Sequence, residues 1–258
     1  MEKKTLTVII PSRSQERQVE FLTKAIMSVR LQQVFEEVRV EFLIALDADD
    51  PLPREVLDAL GARATYSRGK SQAKALNAAI MDVSSEFVAF LEDDDQWEQG
   101  FLEIALRFMS TFDFLSSTQA EIDDNEEFVR VNDFPTPSGW FMKTEVLREV
   151  GYFNEDYLLH LDNEWLGRLN RLNKKRIHLV EKFAPIDFES CAQVRPWLAN
   201  VLICSRGILV RHNSPSPLIR RLVHSGSGMA SISANKSSNT RSLFEKNLIK
   251  TEFGSIPW

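Results

Sequence analysis

Glu86-Phe87-Val88-Ala89-Phe90-Leu91-Glu92-Asp93-Asp94-Asp95 is the stretch on which the fold turns. An apolar run ends abruptly in four consecutive acids. That is the pattern of a buried strand delivering carboxylates to its C-terminal edge. In open α/β sheets, ligands bind outside the carboxyl ends of the strands. Carboxylates gathered there repel one another unless a cation sits among them. All-oxygen donors suit Mg²⁺ or Mn²⁺, which are held by one or two carboxylates together with substrate phosphates. The stretch points to a metal site that handles a phosphorylated substrate.

Upstream, Leu6-Thr7-Val8-Ile9-Ile10 is short and apolar and stops at Pro11-Ser12-Arg13-Ser14. It reads as a central parallel strand running into a loop. Phe21, Leu22, Ala25, Ile26 and Val29 recur at helical spacing. Residues 38–46 form a second strand ending in Asp47-Ala48-Asp49-Asp50. A short helix is expected at 53–60, stopped by Gly61, then a brief strand at 64–66 and a helix at 71–83. This alternation argues for βαβ units and a parallel sheet. Three strand ends, at 11–14, 47–50 and 92–95, then share one rim.

Beyond Gly100 the spacing predicts a helix at 101–109, a strand at 112–117, helices at 144–149 and 163–172, and a strand at 177–180. The acid run at 120–130 reads as a solvated loop, because like charges stay hydrated. Residues 197–205 fit either a helix or a buried strand. Residues 212–217 and 225–240 are rich in turn formers and read as loops. The expected organisation is a main unit at 1–182 with a C-terminal extension, 183–258, in the same globular body. The bulk numbers allow this: 258 residues, 43% hydrophobic and 26% charged. A net charge of −6 gives no sign of a polyanion binder, so no nucleic-acid partner is expected. Cys191 and Cys204 match no zinc or disulfide framework and are expected as buried thiols. No apolar run is long enough to span a membrane, and the start of the chain does not read as a signal peptide. A soluble, cytoplasmic protein is expected.

Three further motifs each have two readings. Ser67-Arg68-Gly69-Lys70-Ser71 precedes a helix; it is either a plain helix cap or a cap that also binds an anion. In Leu161-Asp162-Asn163-Glu164, Asp162 is either an N-cap with Glu164 in the first turn, or a general base aimed at the rim. His224 precedes Ser225-Gly226-Ser227-Gly228; it is either a lone histidine with no special role or one that the loop lets swing onto a metal.

Taken together, these segments resemble the GT-A-fold glycosyltransferases, specifically the inverting family 2. Thr7-Val8-Ile9-Ile10-Pro11-Ser12-Arg13 is similar to the opening strand and nucleotide-binding loop, and Leu46-Asp47-Ala48-Asp49-Asp50 to the second strand end. Residues 69–80 resemble the Gly-x-x-x-Ala-x-x-x-Asn helix, and residues 90–97 the apolar strand with its Asp-x-Asp element and aromatic. Gly139-Trp140-Phe141 with 150–155, then 161–169, resemble the turn before the acceptor helix and the Glu-Asp-x-Asp-x-x-x-Arg element. His224 to Gly228, Asn239 and Phe244-Glu245-Lys246 resemble the tail.

The resemblance implies a Rossmann-like αβα sandwich with a mostly parallel sheet and a C-terminal extension over the site. It implies an inverting transfer of a sugar from a UDP- or GDP-sugar, assisted by Mn²⁺ or Mg²⁺, to a glycan, lipid-linked or protein acceptor. Residues 185–217 are either an acceptor-binding excursion or a peripheral membrane contact, an option that the nearby Arg220-Arg221 keeps open. Pro11, Ser12, Arg13 and Asp47 would line the nucleoside pocket, with Lys70 and Asn77 near the base or phosphates. Glu92 and Asp93 would face the ribose. Asp94 would be the principal metal ligand, assisted by Asp95, and His224 would approach the metal or the diphosphate. Asp162 would be the catalytic base, with Glu164 as fallback. Glu92 stands where the family has Asp, and Leu161 where it often has Glu. Two alternatives remain: a nucleotidyltransferase acting on a sugar phosphate, disfavoured by the glycine-free loop after the first strand, and a non-catalytic binding domain.

Overall fold

The computed structural model describes residues 3–181, 201–203, 207–214, 216–224 and 235–256. Strands β1 (Lys4–Pro11), β2 (Val38–Asp47), β3 (Ala62–Ser67) and β4 (Phe87–Phe90) pair in parallel, in the spatial order β4-β1-β2-β3. On the far side of β4 lie β9 (Phe141–Lys143), β6 (Phe114–Ser117), β10 (Lys175–Glu181), β12 (Ile208–Ser214) and β11 (Val201–Ile203). β9 runs antiparallel to both β4 and β6, and β11 antiparallel to β12; β6, β10 and β12 are mutually parallel. Among the described residues this makes a nine-stranded, mostly parallel sheet.

Alternation along β1 sets the layers. Leu6, Val8 and Ile10 face one side, where Leu22, Ala25, Ile26 and Val29 of α1 (Glu16–Arg30) pack with α4 (Phe101–Phe108). Ile9 faces the other, packed with Leu76 and Ala79 of α3 (Gln72–Met81), α5 (Thr144–Val150) and α6 (Leu161–Asn170). That side centres on buried Trp140 and Trp165, stacked at 4.9 Å between ring centroids. α2 (Arg54–Leu60) ends on Gly61, whose φ of +55° is a conformation glycine adopts without strain. Two-sided burial accounts for the unbroken apolar runs that made these strands readable.

Three loop expectations are corrected. Residues 119–132 form a hairpin, β7 (Gln119–Ile122) and β8 (Phe128–Asn132), in a second sheet ordered β5-β13-β7-β8. Its other strands are β5 (Gln96–Trp97) and β13 (Ile219–Leu222). Residues 212–214 belong to β12, not to a loop. The expected loop at 225–240 turns helical at its end, where α7 (Lys236–Phe253) starts under an Asn235 cap; residues 225–234 lie outside the described residues, as do Cys191 and Cys204. Most of the segment 185–217 lies outside them too. Beyond residue 182, β11 and β12 extend the main sheet, β13 joins the second, and α7 packs on α6. No helix among the described residues is long and apolar enough to cross a membrane.

Candidate active site

Parallel pairing brings the ends of β1 to β4 to one rim. Leu91 N–H donates to Ile9 O at 3.1 Å, and Ser12 N–H to Ala45 O at 3.1 Å, so the loops at 11–14, 47–50 and 92–95 leave the sheet side by side. Ser12 Oγ donates to Asp93 Oδ2 at 2.6 Å. Ser14 N–H donates to Asp50 Oδ2 at 3.1 Å. Ser67 Oγ donates to Asp47 Oδ1 at 3.0 Å, and exposed Lys70 pairs with Asp49 at 2.5 Å. Pro11, Ser12, Asp47 and Asp93 are half-buried and Arg13 exposed, as a site open to a ligand requires. Ser71 caps α3, its Oγ accepting from Lys74 N–H at 3.2 Å, so the capping half of the Ser67–Ser71 reading holds.

Asn77 makes structural bonds of its own. Its side-chain oxygen accepts from Phe153 N–H at 2.8 Å, and its Nδ2 donates to Phe153 O at 2.9 Å and to Glu155 Oε1 at 3.2 Å. The amide docks the 151–157 loop onto α3, while Gln72, at the start of that helix, reaches Glu92 Oε1 at 3.3 Å.

Within the acid run the four carboxylates are not equivalent. Glu92, Asp94 and Asp95 each offer an oxygen within 4.8 Å of the other two, so Glu92 rather than Asp93 completes this group. Asp95 is buried and fully engaged: Ser138 Oγ donates to it at 2.5 Å and Leu222 N–H at 3.2 Å. Ser138 also accepts from Glu92 N–H at 3.0 Å and fixes the bend of the run. It rides a short 3₁₀ turn, Pro137–Gly139, pressed against β6; a Cβ on Gly139 would sit 3.1 Å from Ser117 O. His224 Nε2 lies 3.1 Å from Asp94 Oδ2, and its ring packs on Phe21 at 5.7 Å. β13 carries it there, through its pairing with β5 and β7.

Burial, reinforced by the charge of Asp94, pushes Glu92 and Asp93 each up to about 7. Asp95 is pushed well above the usual carboxylate range by the same causes. A cluster this reluctant to ionise without a counter-charge, built from hard oxygen donors, fits a divalent cation such as Mn²⁺ or Mg²⁺. The protein supplies part of that charge itself. Arg221 is mostly buried and stays charged against its burial because Glu92, Asp95 and Glu121 surround it. Arg221 therefore faces inward rather than toward a membrane. Glu121, read as part of a solvated loop, is buried, bonded to Arg130 at 2.5 Å, Asn132 at 2.9 Å and Arg221 at 3.3 Å.

α6 opens beside this cluster. It begins at Leu161 after His160, so Asp162 lies in the first turn and is not the N-cap. Burial pushes Asp162 up to about 6, against hydrogen bonds that include one from Asn163 N–H at 2.8 Å. Its charge is felt at Glu92, and that of Arg221 is felt at Asp162. Glu164 is buried and clamped by Arg168 through two hydrogen bonds, at 2.8 and 2.9 Å. Arg168 therefore fixes the Glu164 carboxylate in place, whereas Asp162 makes no ion pair of that kind among the described residues. Ser138, Arg221 and Gln72 escaped the sequence reading. Only the adjacency of Arg220-Arg221 gave any signal, and it suggested the wrong surface.

A search of curated proteins finds no significant match. Among solved structures the fold is similar to S. aureus TarS 1–349 in complex with UDP, with a TM-score of 0.58 and 14% identity over 86% of this chain and 61% of that one. The TarS complex with UDP-GlcNAc gives 0.57 and 15%, over 88% and 61%. At such identities the likeness is one of fold, and the chain spans 61% of the length of those structures. The family described as Glycosyl transferase family 2 matches at residues 7–179, well over half of the chain and the whole of the rim just described. On that match, carried by the αβα layout, the chain belongs to glycosyl transferase family 2.

Proposed function

We propose that this protein transfers a sugar, with inversion, from a nucleotide-diphosphate sugar to an acceptor hydroxyl, with Asp162 as the base. The observation that carries the reading is the pairing of a partly accessible carboxylate at the start of α6 with the three-carboxylate group at the end of β4. Family membership and the UDP and UDP-GlcNAc bound by TarS favour a UDP-sugar as donor. The acceptor is a glycan, a lipid-linked or a protein hydroxyl. Residues 183–258 act as an extension of the unit formed by 1–182, completing the site through His224.

Pro11 to Arg13 and Asp47 hold the nucleoside, and Asp93, fixed by Ser12, faces the ribose. Asp94, with Asp95, Glu92 and His224 beside it, would hold Mn²⁺ or Mg²⁺. Bound there, the ion supplies Lewis-acid neutralisation of charge on the leaving diphosphate. Asp162 accepts the acceptor proton. With its pKa raised to about 6 it is ionised at neutral pH, yet more basic than an ordinary carboxylate. A side-chain base acting opposite the leaving group needs no covalent intermediate, which is why inversion is expected.

Two substitutions test this. Asp162→Asn should abolish turnover of the best substrate in a nucleotide-sugar panel while leaving UDP affinity unchanged by calorimetry. Wild-type turnover in that variant removes the base role. Asp94→Ala should abolish the Mn²⁺-dependence of UDP binding; unaltered dependence refutes the metal assignment. Inorganic pyrophosphate as product would instead identify a nucleotidyltransferase.

A further inference from the structure

α7 carries a buried acid that the proposed chemistry does not use. Glu245 is 1% exposed, and its carboxylate accepts three consecutive backbone N–H groups: Leu158 at 2.9 Å, Leu159 at 3.0 Å and His160 at 3.0 Å. Arg241, one turn earlier on α7, pairs with it at 2.6 Å. Despite burial, Arg241 and the three N–H groups hold the Glu245 carboxyl below the usual range. These amides belong to the segment that enters α6, and Asp162 follows only two residues after His160.

The start of α6 has no side-chain cap of its own. His160, at the N-cap position, makes no side-chain cap bond to the helix, and its Nε2 meets Ser242 Oγ of α7 at 2.7 Å instead. Lacking the usual Ser, Thr, Asp or Asn, the helix entrance is tied by a carboxylate from 85 residues downstream. A second fastening lies further along. Phe253 of α7 sits on Gly167 of α6 so closely that a Cβ there would meet the ring at 2.5 Å. Arg171, the C-cap of α6, covers the same ring at 4.3 Å and donates to Glu252 O at 2.6 Å. α7 therefore grips α6 at both ends, and the grip nearer the rim falls on the residues that aim Asp162.

We infer that Glu245 is the positioning residue of the base: it tethers the entrance of α6 so that the Asp162 carboxylate is presented to the acceptor hydroxyl. The inference rests on Asp162 being the base. Proton transfer demands hydrogen-bond reach between base and hydroxyl, and misplacement by about 1 Å costs on the order of 100-fold in rate. A tether of three N–H bonds to one charge is strong enough to fix such a position.

Glu245→Gln keeps the shape, loses the charge and can accept with one oxygen only. Amide hydrogen exchange with mass spectrometry should show faster exchange in a peptide covering 158–160, with the β1 and β4 peptides unchanged. On the best nucleotide sugar of the panel, kcat should fall on the order of 10- to 100-fold, with UDP affinity in the presence of Mn²⁺ held at the wild-type value. Glu245→Asp should recover part of the rate. Unchanged exchange at 158–160, or a wild-type kcat in Glu245→Gln, overturns the inference. So does a loss of kcat matched by an equal loss of UDP affinity, which marks general loosening. Asp162→Asn run alongside separates the two claims. If it is inactive while Glu245→Gln is fully active, the base stands and the tether fails; if it is active, the base reading itself falls.

Discussion

Asn77 illustrates how a residue in a family motif can hold structure. Its carboxamide satisfies both the N–H and the C=O of Phe153, at 2.8 and 2.9 Å, a two-point lock on one peptide unit. The Phe153 ring packs edge-on to Phe90, at the end of β4, so the lock supports the strand that presents the acids. Asn77→Ala leaves two partly buried backbone groups without partners, an expected loss of about 1–3 kcal/mol. Urea denaturation should register that loss while calorimetry with UDP and Mn²⁺ returns the wild-type affinity. Lost UDP affinity at unchanged stability would instead support the role near the base or phosphates that the resemblance implies. Asp95 is another residue whose role is set by its neighbours. With Ser138 and the Leu222 amide on its oxygens, it joins the bend of the acid run to β13 and so to His224.

Among elements, the ones legible in the sequence were those whose own residues fix them. β4, most of β1 and the second half of β2 are buried on both faces, and α1 and α3 carry apolar stripes. The hairpin at 119–132 was hidden because its acids looked solvated. Glu121 is tolerable inside only because Arg130 and Arg221 flank it, the latter 100 residues away. α7 was hidden because its first turn, after Lys236, is Ser-Ser-Asn-Thr, weak helix formers in a helix that packs on α6. The acid cluster stood out because four charges close an apolar run; Asp162 and His224 were singled out only through the family resemblance, since an acid in a first helical turn and a lone histidine each have an ordinary reading. Ser138, Arg221 and Glu245 were not, since each acts through a partner distant in sequence. The α6–α7 contact gives a test at this scale. Gly167→Ala should help the helix by about 1 kcal/mol through propensity, but overpacking against Phe253 should cost about 1–3 kcal/mol. In a Phe253→Ala background the clash vanishes and only the gain remains. A double-mutant cycle in urea should therefore show clear coupling; additive effects would mean that the two helices do not meet as described.

The whole molecule must store several carboxylates at one rim, and that storage links stability to pH and metal. Glu92 and Asp93 rise to about 7, Asp162 to about 6, and Asp95 rises as well, all chiefly through burial. An ordinary carboxylate titrates near 4. Between those values the native protein keeps protons that the unfolded chain has released, so these groups lower stability as the pH rises from about 4 to about 7. Buried His160 and His178, whose pKa values are lowered chiefly by burial, pull the other way. They are not part of the three-carboxylate group, so the shift in melting temperature produced by Mn²⁺ isolates the acids. At about pH 8 the cluster is ionised and a cation relieves its repulsion directly. At about pH 5.5 it must first shed protons, so binding and the stabilisation linked to it weaken. The Mn²⁺-induced rise in melting temperature should therefore be large at about pH 8, small at about pH 5.5, and absent at both in Asp94→Ala. Carboxylates with ordinary pKa values near 4 would be ionised at both pH values and give nearly the same shift. Equal stabilisation in the wild type at the two pH values thus refutes the strained cluster, and stabilisation that persists in Asp94→Ala places the cation elsewhere.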